Sequence, residues 1–295
     1  MISFTSVRVT GFSRRYFDVD WSIAPTHDDL QEWQFWLERS EAEAGPWLLI
    51  AGPLIDRYYV RDNTTPQISL NRTLFYRVRA TNPSRHLEII SDISDREGQE
   101  DLIAAEIGSL EYMLLTEFTG TRAWLFPRRT FGQRCPQCWD DVMNKRLDDS
   151  CGHCYGTGFS GGYHYPIEFF GQFDQVQKNE QVSTYDHHQQ ATTSFRCLAS
   201  PNVVPGDLVI NHRNRRLRAL AVTPTLRLGV TVHQAVQAVT LQPGSIEDAI
   251  ELKVDHRTLA LAAGRNYTSP MNPEAAGILP DDALSDLLGR YGYSG

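Results

Sequence analysis

The sequence contains no long hydrophobic run, and its first residues do not have the pattern of a secretory leader. No apolar stretch approaches the roughly 18–20 residues that a membrane-spanning helix requires. The N-terminal stretch MISFTSVRVTGFSRRYF lacks the charged and then apolar layout of a signal peptide. We therefore expect a protein with no membrane partner, made in a cytoplasm and kept there or assembled into something built there.

Familiar catalytic motifs are also missing. The sequence has no G-x-x-x-x-G-K-[ST], no H-E-x-x-H and no G-x-S-x-G. The stretch GFSGG at 158–162 places a serine among glycines, but we expect it to be a flexible linker. The acidic pairs Asp140-Asp141 and Asp148-Asp149 are expected to be solvated loop charges rather than cation ligands. We predict that the chain is not an enzyme.

Positive charge is in short supply. The chain has 28 basic and 36 acidic residues, a net charge of −8, which argues against a protein that coats nucleic acid. The exception is NHRNRRLRAL at 211–220. This stretch is either a solvated hairpin or a surface that faces an acidic partner protein or DNA. In the second case the contacts would come from Arg213, Arg215, Arg216 and Arg218.

Cysteine is scarce, and four of the five cysteines lie in CPQCWDDVMNKRLDDSCGHC at 135–154. A disulfide framework is disfavoured in such a compartment, and a redox Cys-x-x-Cys usually occurs once, at the start of a helix. Two Cys-x-x-Cys pairs with twelve residues between them instead match a tetrahedral thiolate site. The pattern predicts one Zn²⁺ bound by Cys135, Cys138, Cys151 and Cys154.

Four thiolates would fill the zinc shell and leave no position for a reactive water, so the predicted zinc is structural. It would contribute folding energy to a segment with little apolar content. His153 lies between two ligands and is an alternative to one of them, whereas His164 and the Asp-His-His run at 186–188 are expected to be surface residues. Cys197, in the alternating TTSFRCLAS, is expected to be a small buried strand residue.

Hydrophobic periodicity predicts a mainly β protein with one linking helix. An amphipathic helix is expected at about 96–118, and a short helix at 281–289. The apolar face of the first helix is formed by Leu102, Ile103, Ile107, Leu110, Met113 and Leu114. The predicted organisation is a β-sandwich over 1–83, a linker with the helix over 84–129, a zinc-ribbon-like knuckle over 130–165, a small β-barrel over 166–250 and an extended arm over 251–295.

The N-terminal 83 residues resemble a fibronectin type III module. The resemblance is carried by VDWSI, EWQFWLERS, GPWLLIAG and LFYRVRATN, which follow that family's early core tryptophan and its late Y-x-Y-R-V-x-A-like strand. Leu74 departs from the pattern, because the family often has a corner tyrosine there. The resemblance implies a sandwich that binds sugars or other proteins, or acts as a spacer.

Residues 130–250 resemble the head-to-tail connector proteins of tailed bacteriophages. The resemblance is carried by CPQCWD, by CGHCYGTGFSGGYHYPI and by VVPGDLVIN with the later VTPTLRLGVTVHQAVQ. It implies a structural protein of the virion neck, made in the host cytoplasm, whose barrel assembles as a ring of six or twelve copies. The implied partners are portal or adaptor proteins, tail proteins, and DNA that passes without sequence-specific binding.

A different class of function stays open. CGHCYGTGF also fits the Cys-x-x-Cys-x-Gly-x-Gly pattern of DnaJ-type chaperone zinc domains, although that family carries four copies and this chain fewer. The alternative is therefore a zinc-ribbon protein that binds nucleic acid or acts as a chaperone-like binding protein, with the four arginines contacting phosphates. Negative net charge favours the connector, because DNA slides past a negative lumen instead of adhering to it.

Overall fold

The computed structural model describes residues 2–13, 16–64, 73–95, 102–174, 177–182 and 187–251, and it confirms a mainly β fold. The predicted helix at 281–289, the arm beyond Glu251 and the predicted start of the first helix at 96–101 lie outside these ranges. No helix within them is long and apolar enough to cross a membrane. The strands are β1 Phe4–Ser13, β2 Tyr16–Ile23, β3 Gln34–Ser40, β4 Leu48–Ile55, β5 Tyr59–Asp62, β6 Phe75–Asn82, β7 Leu87–Ile90, β8 Thr121–Phe126, β9 Trp139–Asp140, β10 Lys145–Arg146, β11 Ile167–Phe173, β12 Gln177–Val182, β13 His187–Leu198, β14 Leu208–Asn211, β15 Arg216–Arg227 and β16 Val230–Thr240.

The N-terminal residues form two antiparallel sheets over one shared core. Three strands pair in the order β1-β2-β5, and four pair in the order β4-β3-β6-β7. Strand alternation predicts the inward-facing residues of the late strand, and Leu74, Tyr76, Val78 and Ala80 are all buried in the shared core. The second sheet runs past residue 83 into β7, because Leu87 to Ile90 pair with Asn82 to Arg79.

The second half of the chain contains a closed barrel of six strands. The strand order is β11-β8-β14-β15-β16-β13, and the pairing of β11 with β13 closes the barrel, while β12 extends β13 outward. Inward-facing side chains fill the interior, among them Ala123, Leu125, Phe195 and Val236. Cys197 is fully buried in this core, as its alternating strand predicts.

The first barrel strand lies in the segment predicted to be a linker. Strand β8 pairs with both β11 and β14, so the barrel begins at Thr121 rather than near 166. The cysteine segment is therefore inserted between two neighbouring barrel strands. A six-residue strand such as TRAWLF shows too few alternations for its barrel membership to be deduced from pattern alone.

The predicted linking helix is present as α1, Leu102–Met113, followed by a π-helical turn at Leu114–Phe118. It packs through Ala104, Gly108 and Leu115, which are buried, and through the Tyr112 ring, 5.3 Å from that of Tyr16. The small residues let the helix lie close to the neighbouring strands. The apolar face expected from the sequence is instead largely exposed, at Ile103, Leu110, Met113 and Leu114.

A buried glutamine holds the loop that connects β13 to β14. The Gln234 side-chain oxygen accepts a hydrogen bond from the Val203 backbone N–H at 3.1 Å. Its amide nitrogen donates to the carbonyl oxygens of Leu198, Ala199 and Pro201, at 2.8–3.0 Å. Because Gln234 is almost fully buried, water cannot replace these bonds.

We expect Gln234→Leu to lower the free energy of unfolding by about 2–4 kcal/mol, because one buried N–H and three carbonyl groups lose their partner. Urea unfolding monitored by tryptophan fluorescence measures the change. Gln237→Leu is the matched control, since Gln237 lies on the same strand with its side chain exposed. Equal stability losses in the two variants would contradict the role given to Gln234.

Candidate metal centre

The four cysteines of the two Cys-x-x-Cys pairs converge in one buried cluster. Their sulfur atoms all lie within 4.8 Å of one another. The Sγ atoms of Cys135 and Cys151 are 3.8 Å apart, and those of Cys138 and Cys154 are 3.4 Å apart. All four side chains are shielded from solvent, and none forms a disulfide. The four cysteines lie close enough together to bind a metal ion.

The dimensions of the cluster fit a tetrahedral ion. Zinc–sulfur bonds of about 2.3 Å place the sulfurs of a regular tetrahedron about 3.8 Å apart. The 3.8 Å separation of Cys135 and Cys151 matches this value, that of Cys138 and Cys154 is 0.4 Å shorter, and no sulfur–sulfur separation exceeds 4.8 Å, so only small adjustments are required. Both of these contacts join one cysteine of the first pair to one of the second, so the two pairs face each other across the centre.

Backbone N–H groups in each short loop point at the first sulfur of that loop. The N–H groups of Gln137 and Cys138 hydrogen bond to Cys135, and those of Cys154 and His153 to Cys151. Burial opposes ionisation of Cys151, but the hydrogen bonds from these two N–H groups and from the Cys138 and Cys135 side chains together lower the pKa of Cys151 to about 7. Burial raises the pKa of Cys138, so a cation is needed to hold all four groups as thiolates.

A short hairpin, β9 and β10, connects the two cysteine pairs. Its turn is closed by Asp140, whose carboxylate accepts hydrogen bonds from the N–H groups of Val142 and Met143. Asp149 pairs with Arg146 at 2.6 Å, also within the hairpin region. These carboxylates therefore act locally, as their prediction as loop charges suggests, and Leu147 N–H donates to Cys138 O to tie the hairpin to the cluster.

The glycine-rich stretch 158–162 packs directly against the cysteine cluster, whereas its composition predicted a flexible linker. Gly158 O accepts a hydrogen bond from Cys135 N–H at 3.0 Å. Gly162 has a φ of +71°, and a Cβ atom there would lie 2.7 Å from Cys154 O. Glycine is therefore required here because the backbone is left-handed and neighbouring atoms leave no room for a Cβ. A glycine-rich composition is the same for such a packed stretch and for a flexible linker, so it could not identify the packed stretch.

The histidines near the cysteines do not join the cluster. His153 Nε2 lies 3.1 Å from Ser160 Oγ at the surface. His164 was expected at the surface, but it is buried and its Nδ1 lies 2.8 Å from Asp56 Oδ1. This pairing removes it from consideration as a ligand. Within the described ranges, the only group of three or more potential metal ligands is the cysteine cluster.

A buried ionic network joins the cysteine segment to the N-terminal sheets. Asp56, in the turn after β4, accepts from Arg129 and from His164, and all three side chains are buried. Arg129 also donates to Tyr163 O at 3.1 Å. The His164 ring packs edge-on against Tyr58, with 5.1 Å between centroids. Because each charged group has a partner, burial does not leave an uncompensated charge.

Asp207 fixes the start of the cysteine segment to the barrel. Its two oxygens accept from the backbone N–H groups of Arg128 and Val204, both at 2.8 Å. Burial raises the pKa of Asp207 to about 6 against the opposing effect of these bonds and of the Arg128 charge. The aspartate follows the Pro205-Gly206 turn that the sequence indicates, and it holds the chain where β8 leaves the barrel.

The arginine-rich hairpin connects β14 to β15, and part of it is used within the chain. Arg216 Nη1 lies 3.1 Å from Asp248, and Arg218 pairs with the buried Glu247. Both acids belong to the 3-10 turn Ile246–Ala249. These pairings leave Arg216 and Arg218 less available for phosphate contacts than the sequence analysis assumes.

The other two arginines lie at the exposed tip of the same hairpin. Asn211 closes the turn by accepting from the backbone N–H groups of Arg213 and Arg215, at 3.0 and 2.9 Å. No ion pair to either arginine side chain is found among the described residues. The tip is thus exposed, which is compatible with both interpretations of this stretch.

Sequence reasoning missed the buried polar residues that position the cluster. Asp56 and Arg129 are 73 residues apart, and no motif links them. Asp207 carried a weak signal, since an aspartate beside a Pro-Gly turn commonly accepts backbone hydrogen bonds. The remaining contacts depend on tertiary packing.

We expect Gly162→Ala to destabilise the protein by at least about 2 kcal/mol, because the added methyl group meets Cys154 O and the backbone is left-handed. Gly152→Ala is the matched control: its Cβ has nothing within 4 Å, and its φ is not in the left-handed range. Thermal unfolding of both variants tests this. A Gly162→Ala protein as stable as Gly152→Ala would refute the packing role.

Comparison with other proteins does not assign the chain to a group. No model of a known protein family matches the sequence. No curated protein sequence is significantly similar to it either. The functional conclusion therefore depends on the residues and geometry described above.

Proposed function

We propose that Cys135, Cys138, Cys151 and Cys154 bind one structural Zn²⁺ ion. Four soft sulfur ligands at tetrahedral spacing are the donor set that zinc favours, and the N–H groups aimed at Cys135 and Cys151 stabilise the thiolates. When bound, zinc cross-links the two Cys-x-x-Cys pairs and supplies folding energy to the segment. The four ligands leave no open position for a catalytic water.

We expect one zinc per chain by elemental analysis of the purified full-length protein. Cys151→Ser should lose most of the metal and unfold at a lower temperature, because three thiolates bind zinc more weakly than four. Cys197→Ser is the control for metal content, since that thiol lies in the barrel core away from the cluster and its variant should keep the zinc. A Cys151→Ser protein with full metal content and unchanged stability would refute the site.

We propose that the protein is a structural component of the neck of a tailed bacteriophage, where it forms a ring that joins the portal vertex to the tail. The observation that carries this proposal is a closed six-stranded barrel into which a buried four-cysteine segment is inserted. The cysteine segment and five of the six barrel strands fall in the region, 130–250, whose sequence resembles phage connector proteins, and β8 lies just before it. A small rigid barrel is well suited to form the wall of a ring.

The N-terminal residues fit the role of an accessory module. Two facing sheets of three and four strands, with Trp21 and Tyr76 in their core, are compatible with the fibronectin type III-like sandwich that the sequence suggests. We propose that this module contacts sugars or other virion proteins. The Asp56 network holds it firmly against the cysteine segment, so it presents its surface at a defined angle to the barrel.

DNA is proposed to pass the ring without sequence-specific binding. The chain carries a net charge of −8, and two arginines of its most basic stretch are paired with Asp248 and Glu247. These features give less support to the alternative, a zinc-ribbon protein that binds nucleic acid through Arg213, Arg215, Arg216 and Arg218. Such a protein would present its arginines to phosphates.

Two measurements on the full-length protein separate these functions. Negative-stain imaging and mass photometry should show a ring with a central opening, and fluorescence anisotropy should show little affinity for duplex DNA at physiological salt. A monomer with steeply salt-dependent DNA affinity would instead support the alternative. In that case the double variant Arg213→Glu, Arg215→Glu should abolish the affinity, whereas it should leave a neck ring unchanged.

A further inference from the structure

A short acidic turn of the chain covers two arginines of the basic strand β15. This acidic turn is the 3-10 turn Ile246–Ala249, which follows β16. Its Glu247 pairs with the Arg218 guanidinium, and Asp248 Oδ1 lies 3.1 Å from Arg216 Nη1. Both arginines therefore already hold a carboxylate, and neither meets a phosphate without giving one up.

The acidic turn is anchored mainly by the residue that follows it. The Ile250 side chain is buried against Phe126, Leu208 and Ile210 on the outer side of β8 and β14. Its carbonyl oxygen accepts a hydrogen bond from Arg216 Nη2 at 2.9 Å. None of these contacts belongs to the strand pairing of the barrel. The acidic turn can therefore leave β15 without opening the barrel.

The covered arginines lie between exposed ones. Arg213 and Arg215 are exposed at the tip of the hairpin that leads into β15. Farther along β15, Arg218 stands opposite β14 at the point where β14 pairs with the last residue of β8. The exposed Arg128 follows two residues after that strand ends. The hairpin and the end of β8 thus place cations at both ends of the covered pair.

A buried tyrosine shows that the cations at the second end are close together. Burial raises the pKa of Tyr163, and the charges of Arg218 and Arg128 both oppose that rise. The two guanidinium groups thus act on one hydroxyl. Together with the hairpin tip they form a single surface, which we call the basic surface and which consists of five arginines: Arg128, Arg213, Arg215, Arg216 and Arg218.

Carboxylates and phosphates compete for the same arginine groups. The planar guanidinium binds either one through two parallel N–H···O hydrogen bonds. Because Glu247 and Asp248 belong to the same chain, they are present beside β15 at a high effective concentration. Asp248 is also exposed, so its charge repels an approaching phosphate. The acidic turn is therefore placed as an internal competitor for phosphate.

We propose that the acidic turn masks a phosphate-binding surface, and that DNA passes the ring without adhering because this mask stays in place. With the turn lifted, the basic surface would offer all five arginines to the backbone of duplex DNA. The inference deepens the proposed passage of DNA and rests on it, because it names the element that keeps the most basic part of the chain from binding the DNA.

The double variant Glu247→Ala, Asp248→Ala of the full-length protein removes both competing carboxylates. Fluorescence anisotropy with a labelled duplex should show an affinity about tenfold or more above that of the unmodified chain at low salt. The plot of log affinity against log salt concentration should steepen by about 2, because each additional phosphate contact contributes about 0.9 to the slope. Adding Arg216→Gln and Arg218→Gln to this variant should reverse both changes.

A matched control removes the same amount of charge elsewhere. Glu43→Ala, Asp92→Ala takes away two exposed acids of the N-terminal sheets. It should bind the duplex as the unmodified chain does, with the same salt dependence. An equal gain in this control would overturn the mask, because the gain would then come from net charge alone.

A second variant loosens the acidic turn without changing charge. Ile250→Ala removes the buried anchor and should also raise the affinity for the duplex and steepen its salt dependence. Melting temperature and zinc content, measured on every variant, identify those that keep the fold. Folded turn variants that bind the duplex no better than the unmodified chain would overturn the mask and leave the neck function standing. An unmodified chain that already binds duplex DNA with a steep salt dependence would overturn the proposed passage of DNA itself.

Discussion

The segment between β8 and β11 depends on one constraint, which is that its four cysteine side chains converge in a single buried cluster. The segment between β8 and β11 has no large hydrophobic core of its own, and Tyr155 and Tyr163 pack instead against barrel residues such as Leu208. The cysteine cluster defines the path of the segment. By doing so it brings Arg129 and His164 to Asp56, and those ionic contacts connect the barrel to the N-terminal sheets.

Features set by near neighbours in sequence were predictable. The spacing of the cysteines indicated the cluster. Each Cys-x-x-Cys loop is so short that its two sulfur atoms lie on the same side of a bound ion, and two such loops complete a tetrahedron. Strand alternation likewise indicated the buried face at Tyr76 and Val78 and the burial of Cys197. In each case the deciding interaction lies within one turn or one strand, so the local pattern carries the information.

Features set by distant parts of the chain were not predictable. The membership of β8 in the barrel depends on pairing with strands about 45 and 85 residues later. The glycines at 158–162 are turn and packing residues whose composition also suits a linker. The helix shows the same limit: its apolar spacing was recognised, but the chain packs the small-residue face at Ala104 and Gly108 instead. The spacing of apolar residues identifies an apolar face of a helix, but it does not show which part of the protein packs against that face.

The position of the cysteine segment has a consequence for how this architecture can vary. Strands β8 and β11 are hydrogen-bonded neighbours, so the whole segment between them is, for the barrel, one long hairpin loop. The barrel is closed by its own strand pairing, so its stability depends little on the sequence of this loop. The entropic cost of closing the loop also rises only slowly as the loop becomes longer. The barrel can therefore stay constant while this loop is exchanged, and the outer surfaces that it positions can change with it.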